Sequence, residues 1–336
     1  MKTSGTSKLD TVRLQNMSRA FIGSASLFSA MDLELFTCIS EGDNTAGKFA
    51  DRAGISEVNA DRLMTMCAAS GLIRWNTDHF DNEEDVQRFL VKGEKSYAGA
   101  WLSFTRPAWG SWGKLTEKLS NTEPATVMGD YKTMTVEAAR RYHEATASVG
   151  FGSGRRFAKQ VDLSSFTKIM DLGGGSGAYS IVAAELHPGL KAVVFDLPPV
   201  VEITREFIAN HQLEDQVSTQ GGDFTRDEFP ADCDLAIMAS NLPQYNSKII
   251  SQVIGKAFNA LLSGGEMHLI GEMLDDDRTG PLDAAIWGLY ETMSNSTGMT
   301  HTRSDCVRYF QEAGFTGIEV HEFVPGILVR VCGKKQ

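Results

Sequence analysis

The sequence predicts an α/β fold: a doubly wound, mostly parallel sheet that ends in an antiparallel hairpin, preceded by a mainly helical module. Three observations carry this. Residues 169–172 form an apolar run holding Asp171, followed by Gly173, Gly175 and Gly177 spaced G-x-G-x-G and by a helix pattern over 179–186. A strand that turns into a helix through glycines brings backbone N–H groups and a helix N-terminus to a ligand. From 168 onward strands alternate with helices, the signature of a parallel sheet. The last two strand patterns, 318–323 and 327–332, are joined only by a short turn containing Pro325-Gly326, so they pair as a hairpin.

Each element has a local reason. Over 11–40, Val12, Met17, Phe21, Leu27, Phe28, Met31, Leu35 and Phe36 recur at helical spacing, with Gly23 as a possible break. Asn44 caps a short helix over 45–53 that Gly54 ends. Ser56 opens a helix through Ala69, and Gly71 closes it. Residues 72–75 and 79–80 read as a small two-stranded wing. An aromatic helical stretch, Tyr97, Trp101, Phe104, Trp109 and Trp112, is interrupted by Arg106-Pro107. A helix follows over 136–157, carrying Arg140, Arg141, Tyr142 and His143, with glycines at 150, 152 and 154 loosening its second half. The sheet strands are 168–172, 192–197, 217–221, 234–239 and 266–272. The helices between them are 176–187, 199–211, a short piece near 225–228, and 247–262; a last helix runs over 302–313 to Gly314.

Composition narrows the function. A chain of 336 residues has ample core for two domains. Its net charge of −11 and pI near 5.2 disfavour binding to nucleic acid or an anionic membrane. Helix, turn, helix and wing suggest a winged-helix module. Its DNA-binding reading lacks a basic footprint, because Lys48, Arg52, Arg62 and Arg74 are set against Asp51, Glu57 and Asp61. Contact between protein chains is the reading left. Cys38, Cys67, Cys233, Cys306 and Cys332 are scattered without a C-x-x-C pair, which argues against a disulfide framework or a zinc site. The first ten residues lack the apolar segment of a signal peptide, and the cytoplasm is the expected compartment. A glycine cluster alone also occurs in surface turns; the acid at 196, about 20 residues on and at a strand end, favours a nucleoside ligand.

The chain resembles the S-adenosylmethionine-dependent O-methyltransferases of the two-domain type. The motifs are Asp171-Leu-Gly-Gly-Gly-Ser-Gly177, Phe195-Asp-Leu-Pro198, Gly222-Asp-Phe224, and Leu262-Ser-Gly-Gly265 before a strand ending in Glu272. The resemblance implies a winged-helix dimerisation domain over 1–100 and a Rossmann-like class I methyltransferase domain over 101–336, working as a homodimer on a small-molecule acceptor. It implies that Asp171, Gly173 and Gly175 cradle the methionine part of the cofactor and that Asp196 holds the ribose. Leu197 then lies on the adenine, Asp223 bonds its amino group, Gly222 is a further cofactor-binding residue, Phe224 stands beside the ring, and Ser240 touches the cofactor after the fourth strand.

One departure matters for chemistry. Where the family places its general-base histidine, this chain reads Ser240-Asn-Leu-Pro-Gln-Tyr-Asn246, with Gln244 at the base position. An amide takes no proton at neutral pH. Glu272, which flanks that base in the family, remains. Three readings follow: an acceptor such as a thioether that loses no proton; a phenol or carboxylate already ionised; or a base role passed to His143, His301 or Glu272, or lost with catalysis. The first makes a sulfonium product, which aromatic faces stabilise. The candidates nearest the reacting centre are Gln244, Tyr142 and Glu272. Trp101, Tyr245, Trp287 and Tyr290 are candidate acceptor walls with Trp109, and Arg106, Arg140 or Arg141 a partner for a substrate carboxylate. Among family members lacking the histidine, the chain resembles the DsyB-type enzymes of dimethylsulfoniopropionate synthesis, which S-methylate 4-methylthio-2-hydroxybutyrate. The alternatives are an O-methyltransferase of a phenol or other secondary metabolite, and a non-catalytic regulator that binds the cofactor.

Overall fold

The computed structural model describes residues 9–336, apart from the side chain of Asp130. Most of the N-terminal stretch read above for a signal peptide lies outside these residues. The chain divides into two compact units, the first ending at Ser103 and the second spanning Phe104–Gln336. Among the described residues no helix is long and apolar enough to cross a membrane.

In the first unit a helix runs Val12–Asp32 straight through Gly23, and a second spans Leu35–Ser40. The helix Ala46–Ala53 is capped by the Thr45 side chain rather than by Asn44, and Gly54 closes it in the left-handed region. Ser56 caps Glu57–Ala69. The wing is an antiparallel pair of β1 (Ile73–Asn76) and β2 (His79–Asn82). Leu35, Phe36, Phe49, Met64 and Ile73 lie in one buried cluster. The aromatic stretch that follows is a series of short turns, Gly99–Leu102, Arg106–Ala108, Trp109–Trp112 and Leu115–Leu119, not one helix.

The second unit is built on a sheet of seven strands: β3 (Lys168–Leu172), β4 (Lys191–Asp196), β5 (Val217–Gly221), β6 (Cys233–Ala239), β7 (Leu261–Gly271), β10 (Thr316–Val324) and β11 (Leu328–Lys334). Two short strands, β8 (Met273–Leu274) and β9 (His301–Thr302), pair separately. The spatial order is β10-β11-β7-β6-β3-β4-β5. The five strands from β3 to β7 pair in parallel, and β11 joins antiparallel to β7 and to β10. The inner strands are mostly apolar because helices cover both faces. No helix forms at 225–228, where Asp223 and Thr225 make a side-chain turn instead. Strand order reverses between β3 and β6, so the carboxyl ends there splay apart and leave a crevice.

The helix Val136–Gln160 is continuous through its glycines. They do not loosen it. A Cβ at Gly154 would stand 2.9 Å from the Ala178 carbonyl oxygen and one at Gly150 would stand 3.2 Å from the Ala178 Cβ. Their bareness lets this helix press on the helix Ala178–Leu186, which starts right after the glycine loop. That close approach brings Tyr142 and His143 to the crevice.

Candidate active site

The glycine loop, Asp196 and Gly222-Asp-Phe224 sit at carboxyl ends of the sheet strands, whereas Leu262-Ser-Gly-Gly265 lies at the amino end of β7. β3 delivers Asp171, 1% exposed, whose Oδ2 accepts from Ser180 Oγ at 2.8 Å. Burial, with Asp196 nearby, pushes its carboxyl up to about 6 despite that hydrogen bond. Asp171 therefore lies beneath the loop as its support. Gly175 adopts φ +57, and a Cβ there would stand 2.6 Å from His143 Cε1. Thr204 Oγ1 donates to the Gly175 carbonyl at 2.6 Å. Asn241 Nδ2 donates to the carbonyls of Gly173 at 3.2 Å and Ala239 at 2.9 Å, tying the end of β6 to the loop.

Asp196 ends β4. Its Oδ2 accepts from Gly175 N at 2.8 Å and its Oδ1 from Leu197 N at 2.7 Å, while burial lifts it to about 6. Each oxygen keeps a lone pair, which suits a vicinal diol. Gly222 N donates to the Asp196 carbonyl at 2.8 Å. Asp223 is buried; its Oδ1 takes the backbone and hydroxyl of Thr225, and its Oδ2 lies 3.2 Å from Arg226 Nε. Phe224 is buried with its ring 4.9 Å from that of Tyr245. Leu197 and Asp223 line an open cleft of about 530 Å³ together with Met128, Tyr131 and Met134. Diol acceptor, N–H-bearing loop and cleft fit a nucleoside with a charged tail. Ser240, exposed with φ +60, donates its N–H to Ile270 O at 2.9 Å; the next residue, Asn241, reaches the loop instead.

The acceptor side is aromatic and acidic. Gln244 ends the turn Leu242–Gln244 and is partly buried; its carbonyl and the Glu291 Cγ both lie within 3 Å of where a Cβ on Gly298 would be. Glu272 follows β7, and burial lifts its carboxyl to about 7. The Tyr142 hydroxyl sits within electrostatic reach of Glu272, Asp196 and Glu291, at the seam between the two halves, and burial holds its pKa up to about 12. Its ring meets Phe104 edge-on at 5.0 Å, Phe104 lies 6.3 Å from Trp287, and Trp287 lies 5.6 Å from Tyr290. Tyr245 is buried close to these groups.

Several expectations meet a different placement. His301 is buried with Nδ1 2.9 Å from Tyr309 Oη and Nε2 2.9 Å from the Tyr245 carbonyl, so both ring nitrogens are engaged within the protein. His143 packs under Gly175, and burial pushes its imidazole down to about 4. Both histidines are thus poor bases. Arg140 forks onto Glu206 at 2.6 and 2.7 Å and is not open to a substrate carboxylate. Trp101 lies in the short helical turn Gly99–Leu102 of the first unit. Arg106 opens the turn Arg106–Ala108 and is partly buried. Tyr131, Glu291 and Asn241 were not singled out in the sequence. Only Asn241 left a signal, standing inside the Ser240-to-Asn246 segment already read as unusual.

Among the described residues Glu319, His321 and Cys332 bring three possible metal ligands within 4.8 Å on β10 and β11. Arg330 Nη1 lies 3.5 Å from the Cys332 sulfur, a poor neighbour for a divalent cation.

Comparison with known proteins agrees with this geometry. A family model described as an O-methyltransferase domain matches residues 125–316, and one described as an O-methyltransferase dimerisation domain matches 15–92. The chain is 30% identical over 310 residues to the tetracenomycin polyketide synthesis 8-O-methyl transferase TcmO of Streptomyces glaucescens, covering 90% of each. It is 29% identical over 317 residues to 3-hydroxy-5-methyl-1-naphthoate 3-O-methyltransferase of Streptomyces sahachiroi, covering 92% of this chain and 91% of that one. Its fold matches human N-acetylserotonin methyltransferase in complex with SAM, with a TM-score of 0.81 at 24% identity over 98% of this chain and 99% of that one. The chain is a class I methyltransferase that uses S-adenosylmethionine, and it belongs to the O-methyltransferase family with its dimerisation domain.

Proposed function

We propose that this enzyme S-methylates a small thioether acid of the 4-methylthio-2-hydroxybutyrate type, producing a sulfonium as in dimethylsulfoniopropionate synthesis. The observation that carries the reading is Gln244 at the base position, with both ring nitrogens of His301 bonded within the protein and His143 packed under Gly175. S-adenosylmethionine, when bound, supplies a methyl group whose C–S bond breaks as the acceptor's lone pair forms the new one. A thioether has no proton to give up, so the residues need only orient it. Gln244 offers an amide to the acceptor's polar end. Tyr142, Phe104, Trp287 and Tyr290 offer ring faces to the positive charge. Glu272 and Glu291 add negative charge beside it, and Arg106 is the candidate for the acceptor's carboxylate. Asp196, Leu197, Gly222, Asp223, Phe224 and the glycine loop would hold the cofactor.

A second reading, O-methylation of a phenol, draws support from the activities in the relatives' names and from Glu272, whose carboxyl near 7 suits a general base. The dimerisation-domain match supports a homodimer, and the cytoplasm remains the proposed compartment.

The deciding experiment supplies labelled S-adenosylmethionine with a thioether panel, including methylthio-hydroxybutyrate and methionine, and a phenol panel. Label in a sulfonium product is the expected result. Transfer to oxygen alone would sink the proposal.

A further inference from the structure

The loop 222–229 follows β5 and contains no helix or strand, so its backbone groups need partners from elsewhere. One face of the helix Ser247–Ala260 supplies several of them. Gln252 and Lys256 stand one turn apart on that face. Gln252 Nε2 donates to Thr225 O at 3.1 Å, and Lys256 Nζ donates to Phe224 O at 2.9 Å and to Asp227 O. The Lys256 ammonium also lies 4.3 Å from the centroid of the Phe229 ring, which meets Phe195 of β4 edge-on at 5.4 Å. The loop's own bonds close around Asp223. Asp223 N donates to Asp227 Oδ2 at 2.8 Å and Asp227 N to Asp223 O at 2.8 Å. Asp223 Oδ1 accepts from Thr225 N at 2.9 Å and from Thr225 Oγ1 at 2.7 Å.

With Oδ1 committed to Thr225, Asp223 has Oδ2 to offer to a ligand in the cleft it lines; its protein neighbour there is Nε of the exposed Arg226, 3.2 Å away. The direction of Oδ2 follows the backbone path from 223 to 227, because the carboxylate and Asp227 both bond back into that stretch. Lys256 ties the path down on either side of Thr225, and Gln252 ties it at Thr225 itself. An ammonium brings three donors and no acceptor, which suits carbonyls that neither sheet nor helix has paired. We propose that Lys256, with Gln252, is a positioning residue for cofactor recognition: from the helix Ser247–Ala260 the pair holds the 223–227 loop so that Asp223 Oδ2 meets the adenine amino group. Preference for adenine then passes through side chains behind the loop rather than in the cleft. The inference rests on the assignment of Asp223 to adenine and on nothing about the acceptor.

The test compares S-adenosylhomocysteine with S-inosylhomocysteine, by calorimetry, on the full-length wild type, Lys256→Met and Gln252→Ala. The inosyl analogue presents a carbonyl oxygen where adenine presents N–H groups, so a carboxylate held at that place rejects it. One lost hydrogen bond to a charged group corresponds to a wild-type Kd ratio of roughly 10- to 100-fold in favour of the adenosyl ligand. Lys256→Met keeps the apolar stem and removes the donors. Its ratio should fall to within about 3-fold of unity, with the loss carried by the adenosyl ligand. Gln252→Ala removes one neutral bond at an exposed position and should lower the ratio about 2- to 5-fold. A merely destabilised variant would bind both ligands less well and keep the ratio, so each melting temperature is read beside it. A wild-type ratio retained by folded Lys256→Met overturns the proposal. If that variant does not fold, Gln252→Ala decides, and an unchanged ratio there overturns it equally. A ratio near one in the wild type would refute the assignment of Asp223 to adenine and the proposal with it, and that failure shows before any substitution is made.

Discussion

The cofactor half and the acceptor half share the carboxyl edge of one sheet but are held by different means. On the cofactor side the backbone is the main partner. Asp196 accepts from Gly175 N and Leu197 N, and Asn241 and Thr204 bond loop carbonyls. On the acceptor side ring contacts link side chains far apart in the chain, as in the run from Tyr142 through Phe104 to Trp287 and Tyr290. A backbone cradle tolerates little change in residue type at the turn positions. A wall of rings can be rebuilt by substitution without disturbing the sheet. The difference accounts for a family whose relatives share one fold while their names point to a naphthoate, a polyketide and acetylserotonin.

The sharpest way to break the comparison is Asp196→Ala. It removes the diol acceptor and strands two N–H groups. Two hydrogen bonds to a charged group, about 1.5–3 kcal/mol each, correspond to a loss of S-adenosylmethionine affinity of roughly 100-fold or more. Calorimetry giving near-normal affinity would refute the assignment of Asp196 to the ribose.

Next in size is Glu272→Gln, read as stability against pH. The ordinary value of 4.5 is raised to about 7 in the folded protein. The sign follows from which state holds the proton. Below about 4.5 the carboxyl is protonated in both states and the contribution is fully present. As pH rises the unfolded chain ionises first, and the contribution is lost by the time pH passes about 7. The variant has no such loss. Its stability relative to wild type should rise by up to about 3 kcal/mol between pH 4.5 and 8 in denaturant titrations. A flat difference would mean that Glu272 is solvated.

The two halves were also unequally legible. The strand-glycine-helix turn, Asp196 and Gly222-Asp-Phe224 are local patterns, because backbone cradles are made by neighbours in sequence. The sheet order and terminal hairpin followed from alternation and the Pro325-Gly326 turn. Tyr131 and Glu291 were silent, since nothing in periodicity reports side chains brought beside the site from separate segments. His301 misled for the same reason: its position before a helix is visible, but its bonds to Tyr309 and the Tyr245 carbonyl are not. Gly150 and Gly154 were read as helix looseners because spacing shows the missing side chain but not the helix pressed against it.

Gly175→Ala probes the seam itself. The left-handed backbone costs an L-residue about 1–2 kcal/mol, and the new methyl would meet the His143 ring. Cofactor affinity should fall about 10- to 30-fold. Adding His143→Ala should recover only the steric part, because the backbone cost stays. Full recovery would mean that φ at Gly175 is unimportant.

Gln244→Ala should have the smallest effect, and it separates the two halves most cleanly. If the amide only orients the acceptor, its removal forfeits one or two neutral hydrogen bonds, about 1 kcal/mol each, and raises the acceptor KM about 5- to 30-fold. The kcat should stay within about 3-fold and keep its pH profile, since no proton passes through Gln244. Cofactor affinity should not move, because the cradle is braced by Asn241 rather than by Gln244. A large fall in kcat, or the loss of one limb of its pH profile, would place Gln244 in a proton path and favour a hydroxyl acceptor over a thioether. Gln244→His extends the argument, because an imidazole there adds a base that only a hydroxyl can use. Methylation of phenols should rise in that variant while thioether turnover does not.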